Sequence, residues 1–131
     1  MPHHFHAVVW LDRREARIFE FGGEDIRFQR IRNENAGHIH HKAGSVGAGH
    51  APVEGEYLAA IAKALVPVHE ILLTGPAQTK TELTRWLEKH APEIAERVLG
   101  VETLDRFSDG EIVAFARKFF AREDRMTPQI P

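Results

Sequence analysis

Hydrophobic and polar residues form three short strand-like patterns at the start of the chain. Residues 6–11 contain a continuous apolar run, which predicts a strand buried on both faces. Residues 15–21 and 26–31 alternate with a period of two, which predicts strands with two distinct faces. Turn-forming polar and glycine residues at 12–14 and 22–25 separate them. The three segments therefore predict an antiparallel meander.

After residue 55 the pattern changes to helices alternating with strands. Apolar residues recur at helical spacing, and two segments match the Ser/Thr-x-x-Glu capping box, Thr79 with Glu82 and Ser108 with Glu111. The predicted elements are a helix around 57–65, a strand at 70–74, a helix around 83–90, a short helix at 92–98, a strand at 101–104 and a helix around 112–120. This order predicts an α/β domain with a mixed sheet of about five strands and helices against its faces.

The composition is typical of a single soluble domain. The chain has 131 residues, 43% of them hydrophobic and 27% charged. We expect one domain over residues 1–131, ending in a polar tail at 122–131. No apolar run is long enough to span a bilayer, and the start lacks the pattern of a signal peptide. With no cysteine, disulfides and thiolate metal sites are excluded, and a cytoplasmic location without membrane contact is expected.

Charge is unevenly distributed along the chain. The segment from Arg27 to His50 carries a net +3, while the whole chain carries −2, so the remainder carries −5. The charged residues of the segment are Arg27, Arg30, Arg32 and Lys42, against Glu34. A basic segment on an acidic protein is typical of phosphate contacts, and a solvated loop is the alternative.

The long segment 33–52 lacks periodicity and is rich in glycine and histidine. A stretch of this length without secondary structure is usually functional or mobile. Its candidate site residues are His38, His40, His41, Lys42, Gly44, Ser45, Gly47, Gly49 and His50. One hypothesis is RNA or phosphate binding, in which Lys42 supplies charge and the glycines let backbone N–H groups approach phosphate oxygens. The alternative is a mobile, solvated loop that has no binding or catalytic role.

A metal site is the third interpretation of this segment. Neutral imidazoles are common zinc ligands, so His40, His41 and His50 are candidate ligands if the segment folds back on itself. No complete metal-binding template is present. The glycines also do not form a Walker loop, because Lys42 precedes them instead of following them.

Two weaker candidate sites lie outside the segment. Gly75, Thr79 and Lys80 lie where a strand meets a helix, so they are a candidate secondary anion site, with a capped turn as the structural alternative. Asp12 and Asp105 each follow a predicted strand and suggest a two-metal nuclease, but two acids without a third are weak support. Phe120, near the end of the last predicted helix, is a candidate dimer contact.

The segment from Ile71 to Leu83, ILLTGPAQTKTEL, resembles the central domain of archaeal and eukaryotic peptide-chain release factors and of pelota. The resemblance implies a ribonuclease-H-like mixed sheet. In that family a Gly-Gly-Gln motif in the loop before the first long helix promotes peptidyl-tRNA hydrolysis. This chain has HIHHKAGSVGAGH there, and none of its three glutamines (Gln29, Gln78, Gln129) lies in the segment. The departure argues against peptide release and makes an enzyme the less favoured class.

The chain is more similar still to short bacterial single-domain relatives of the translational machinery type. We therefore expect a non-hydrolytic, ribosome- or RNA-associated accessory protein of translation, with no cofactor. The first alternative is a metal-dependent phosphoester hydrolase that uses zinc bound by the segment's histidines. The second is a structural or host-attachment-type interaction module, for which a homodimer is the candidate assembly.

Overall fold

The residues that the structure describes form five strands and four helices, in the order predicted from the sequence. The structure is a computed structural model that describes residues 6–22, 25–34, 55–105 and 107–126, apart from the side chains of Ala77 and residues 124–126. The elements are β1 (His6–Leu11), β2 (Glu15–Gly22), β3 (Asp25–Arg32), α1 (Gly55–Leu65), β4 (Glu70–Gly75), α2 (Ala77–His90), α3 (Pro92–Ala95), β5 (Val98–Thr103) and α4 (Asp109–Met126).

One mixed sheet with strand order β3-β2-β1-β4-β5 forms the centre of the fold. β1, β2 and β3 pair antiparallel as the predicted meander, whereas β4 lies parallel to β1 and β5 parallel to β4. The central position of β1 explains its continuous apolar run, since helices cover both of its faces. The predicted α/β class and the mixed five-strand sheet are confirmed.

Each face of the sheet has its own hydrophobic core. One core joins β1, β2 and β4 to α1, α2 and α3, and includes Ile18, Ile61 and Leu83. The other packs α4 against the opposite face, and includes Phe19 and Phe119. The alternation of β2 thus sends successive side chains into different cores, as its period of two predicts.

One of the two predicted capping boxes forms, and the other does not. Before α4, the Ser108 amide donates to Glu111 Oε1 at 2.8 Å, and the Glu111 amide donates to Ser108 Oγ at 3.2 Å. The predicted box of Thr79 with Glu82 is wrong, because α2 begins earlier, at Ala77, and its N-cap residue Pro76 makes no side-chain cap hydrogen bond. Proline fixes the backbone angle that leads into this helix, so Thr79 lies inside the first turn.

The last strand and the last helix differ from the predicted ranges. The short helix α3 ends at Ala95, and β5 begins at Val98 instead of residue 101. The pairing of β4 with β5 contains a register shift, which places Val98 opposite Ile71 and Gly100 opposite Leu72. This irregularity breaks the alternation that would have identified the strand. α4 continues to Met126, into the segment expected to be a polar tail.

The described helices are too short or too polar to cross a membrane. None of those within residues 55–126 combines the length and the apolar character that a bilayer span requires.

Candidate functional site

The predicted RNA- or metal-binding segment lies outside the described residues. His38, His40, His41, Lys42, Gly44, Ser45, Gly47, Gly49 and His50 all fall between residues 35 and 54, so their chemistry stays a prediction. The structure does describe both ends of the segment. It leaves the sheet after Arg32 at the end of β3 and enters α1 at Gly55.

Both ends of the segment are tied to the β1–β2 turn. On the β3 side, the Asn33 amide donates to the carbonyl of Arg14 at 2.8 Å, and its side-chain Nδ2 donates to the carbonyl of Arg13 at 2.9 Å. On the helix side, the Tyr57 hydroxyl donates to the carbonyl of Asp12 at 2.8 Å. Consecutive residues of one turn therefore fix where the segment begins and ends.

The Asp12 carboxylate shapes this turn. The turn together with Asn33 and Tyr57 is called the anchor below. Its Oδ1 accepts hydrogen bonds from the amides of Arg14 at 2.8 Å and Glu15 at 2.9 Å. The Asp12 amide also donates to the carbonyl of Glu15 at 3.0 Å. Asp12 thus has the turn-forming function that its position after a strand indicates.

Tyr57 is buried, as Asn33 is, and its surroundings oppose ionisation of its phenol. Burial raises the pKa of the Tyr57 phenol far above its ordinary 10.0, and the nearby carboxylates of Asp12 and Glu15 raise it further. The phenol therefore stays neutral in the folded protein and remains a hydrogen-bond donor. This contribution to stability is complete below the ordinary pKa and is lost as the pH rises above it, because only the unfolded chain then ionises.

The anchor lies at the edge of the sheet where the parallel strands end. β1 ends at Leu11 before the turn, and β4 ends beside it at Gly75. Gly75 has φ +134°, and a Cβ there would lie 2.2 Å from the carbonyl oxygen of Leu11. This close approach of two backbones requires glycine. The carboxyl edge of a parallel sheet is where α/β proteins commonly bind ligands.

The candidate secondary anion residues lie at this same edge, but two of them are buried. Gly75 ends β4, while Thr79 and Lys80, in the first turn of α2, are only 4% and 5% exposed. The Lys80 carbonyl accepts a hydrogen bond from Thr84 Oγ1 at 2.9 Å. Their burial is consistent with packing of the helix start, and anion binding by these residues stays a prediction.

Support for the two-metal nuclease does not emerge from the described residues. Within 6–22, 25–34, 55–105 and 107–126, no group of three or more histidine, aspartate or glutamate side chains is arranged to hold a metal ion. Asp105 is exposed, and Asp12 is used in its turn. The zinc hypothesis for His40, His41 and His50 concerns residues outside these ranges.

A surface cleft adjoins the anchor and was not expected from the sequence. It has a volume of about 250 Å³ and is lined by Arg32, Asn33, Glu34, Glu56, Tyr57 and Ala60. The sequence pattern predicted only that Tyr57 begins a helix around 57–65. The hydrogen bond from its hydroxyl to the main-chain carbonyl of Asp12 could not be predicted, because no residue type near Tyr57 indicates a main-chain acceptor so distant in sequence.

Comparison with known proteins gives matches to solved structures alone. No protein-family model matches the chain, and no curated protein matches it by sequence. Pelota from Thermoplasma acidophilum matches 86% of the chain with a TM-score of 0.61 and 19% identity. Pelota from Archaeoglobus fulgidus matches 90% with a TM-score of 0.64 and 11% identity. Dom34 from S. cerevisiae matches 93% with a TM-score of 0.57 and 14% identity.

These likenesses define the class of fold. The chain spans about a third of the length of each matched structure, with coverages of 32%, 32% and 35%. At such low identity the shared property is the fold. The predicted resemblance to pelota is thereby confirmed at the level of the fold.

Proposed function

We propose that this domain is a translation-associated protein that contacts ribosomal RNA through the segment at residues 33–52 and does not hydrolyse peptidyl-tRNA. The observation that carries the proposal is the fold shared with Pelota and Dom34. Dom34 is described as a translation termination-like factor involved in RNA quality control pathways and interacting with Hbs1. Because the shared fold accounts for only a third of those proteins, a domain-level contact is proposed, without their partners.

The position of the segment supports the proposal. Both of its ends are held by the turn at Asp12–Arg14, beside the carboxyl ends of β1 and β4. A long segment on a rigid base at this edge is typical of binding loops. The fixed base restricts where the segment can meet a partner.

The residue types of the segment suit a phosphate backbone. Lys42 supplies a positive charge, and Gly44, Gly47 and Gly49 permit close approach of backbone N–H groups to phosphate oxygens. The imidazoles of His40 and His41 add hydrogen-bond donors. We therefore assign RNA contact to the segment and a non-hydrolytic function to the domain, since the chain contains no Gly-Gly-Gln motif.

Ribosome co-sedimentation tests the proposal. We expect the protein to pellet with purified ribosomes at about 50 mM salt and to be released at about 200 mM, because phosphate contacts weaken steeply with salt. A Lys42→Ala, His40→Ala double variant should pellet several-fold less. Lys63→Ala, which removes an exposed cation from α1, is the matched control and should pellet like the wild type.

Two results would overturn parts of this proposal. Absence of pelleting at low salt, or an equal loss in the Lys63→Ala control, would remove the assigned contact. Release of labelled peptide from ribosome-bound peptidyl-tRNA by the wild-type protein would instead overturn the non-hydrolytic assignment.

A further inference from the structure

We propose that β2 and β3 carry a second nucleic-acid surface, on the part of the sheet face that α4 leaves exposed. This surface stacks unpaired RNA bases on Phe28. The surface, called the aromatic strip below, consists of Ile26, Phe28, Arg30, Phe21 and Arg117. It is distinct from the 33–52 segment and is composed only of described residues. It rests on the proposed function solely in the choice of RNA as the partner.

The pairing register brings these residues together on one face. Phe28 lies opposite Phe19 and Ile26 opposite Phe21 in the β2–β3 ladder, and directly paired residues share a face. The rings of Phe19 and Phe28 lie 4.9 Å apart. Phe19 belongs to the core under α4, so the strip continues that core outward onto the sheet edge.

The strip is apolar and accessible. Phe28 is 43% exposed and Ile26 is 41% exposed, although both lie in a regular strand. The buried Phe19 packs against the Phe28 ring, and the Arg30 guanidinium lies over the same ring, so a stacking base would displace the Arg30 side chain, which is itself 39% exposed. A fixed aromatic ring on a sheet face is the arrangement on which single-stranded bases stack.

Arginine side chains lie over two of the aromatic rings. The Arg30 guanidinium lies 5.6 Å from the centre of the Phe28 ring, and that of Arg117 lies 5.5 Å from the centre of the Phe21 ring. Arg30 also contacts Glu15 at 3.2 Å. Guanidinium groups beside an aromatic ring match the phosphates that flank a stacked base.

The charges of β3 favour a polyanion over a second copy of this chain. β3 is an edge strand that carries Arg27, Arg30 and Arg32 against a single acid, Asp25. Pairing of two copies along β3 would join two strands that each carry three cations and one acid, and like charges on edge strands oppose such pairing. The same charges attract RNA.

Binding of a fluorescein-labelled uridine oligomer of about twelve nucleotides, followed by anisotropy, tests the inference. Phe28→Ala should weaken binding about tenfold, within the range observed for loss of a single stacking platform. Val101→Ala is the control matched in exposure, since Val101 is 42% exposed on the opposite edge strand β5, and it should leave binding unchanged. Duplex RNA should compete poorly, because its bases are already stacked.

Salt dependence and a conservative variant separate stacking from charge and from misfolding. Arg117→Ala should lower the slope of log affinity against log salt by about 0.7, whereas Phe28→Ala should leave that slope unchanged. Arg85→Ala, an exposed arginine of α2, should change neither. Phe28→Trp should restore affinity, and its indole fluorescence should be quenched by the oligomer. Circular dichroism must show that every variant is folded.

Three outcomes would overturn the inference: no binding at low salt, equal binding by Phe28→Ala and Val101→Ala, or concentration-dependent dimerisation abolished by Phe28→Ala. The last result would make the strip an interface between copies. Failure here is distinguishable from failure of the proposed function. Ribosome pelleting that depends on Lys42, together with oligomer binding that does not depend on Phe28, would overturn only the strip, whereas Phe28-dependent oligomer binding without ribosome pelleting would overturn only the proposed function.

Discussion

Gly75→Ala is expected to destabilise the protein because Gly75 approaches the neighbouring strand without room for a side chain. Its φ of +134° is strained for alanine, and the added Cβ would lie 2.2 Å from the Leu11 carbonyl oxygen. Relief of that overlap requires a backbone shift of about 1 Å. Such a shift disturbs the Thr74 Oγ1 bond to the Val9 carbonyl at 2.9 Å and the Leu104 amide bond to the Gly75 carbonyl at 3.1 Å.

The magnitude follows from these contributions. The strained backbone costs about 1–3 kcal/mol, and one weakened hydrogen bond costs about 1 kcal/mol. The reduced freedom of the unfolded chain offsets about 0.5–1 kcal/mol. The net loss in free energy of unfolding is therefore about 1–3.5 kcal/mol, a large part of the roughly 5–15 kcal/mol typical of a domain.

Urea denaturation followed by tryptophan fluorescence measures this loss. Trp10 is a suitable reporter, since its Nε1 donates to the Leu104 carbonyl at 2.9 Å and it lies in the core. Gly110→Ala is the matched control, because a Cβ there meets nothing within 4 Å and the residue lies in α4. That control should be neutral or stabilising by up to about 1 kcal/mol. A Gly75→Ala midpoint equal to that of the wild type would refute the reasoning.

Three further predictions concern the anchor, the helix cap and the metal hypothesis. Tyr57→Phe should lower the free energy of unfolding by about 1 kcal/mol at neutral pH, and the wild type should lose this advantage above about pH 10, where Tyr57 of its unfolded chain ionises. Urea denaturation at several pH values measures the difference between the two proteins. A difference that stays constant with pH would contradict the prediction. Ser108→Ala should cost about 1 kcal/mol by removing the bond to the Glu111 amide, with Ser108→Asp as the restoring variant, and melts with unchanged midpoints would count against it. Protein purified without a histidine tag should contain no stoichiometric zinc by elemental analysis; zinc that is lost on His40→Ala or His50→Ala would favour the phosphoester hydrolase instead.

The sequence predicted elements well where the signal was local. The apolar run at 6–11 and the alternation at 15–21 lie close to the observed bounds of β1 and β2. Burial of a strand on both faces gives a continuous apolar run, and distinct faces give alternation, so the order of the residues shows both. β5 was placed too late, since its register shift interrupts the alternation. The box at Thr79 failed because Pro76 starts α2 without a side-chain cap.

Long-range contacts were not accessible to the same reasoning. The hydrogen bond from the Tyr57 hydroxyl to the Asp12 carbonyl joins residues 45 positions apart. Since every residue has a main-chain carbonyl, the residue type at position 12 does not indicate this acceptor. The aromatic strip was missed for a related reason. Alternation assigned Ile26 and Phe28 to one face of a strand, but it could not show that α4 leaves this face of an edge strand open.

The anchoring of both segment ends to one turn has a consequence for protein engineering. Since Asn33 and Tyr57 bond to adjacent residues, the ends are near enough for a short glycine linker to join them in place of residues 35–54. Loop-closure entropy changes only slowly with length, so such a shortened chain should fold, as should one carrying a foreign segment. Such a variant would present a grafted segment between β3 and α1, at a place fixed by the turn at Asp12–Arg14.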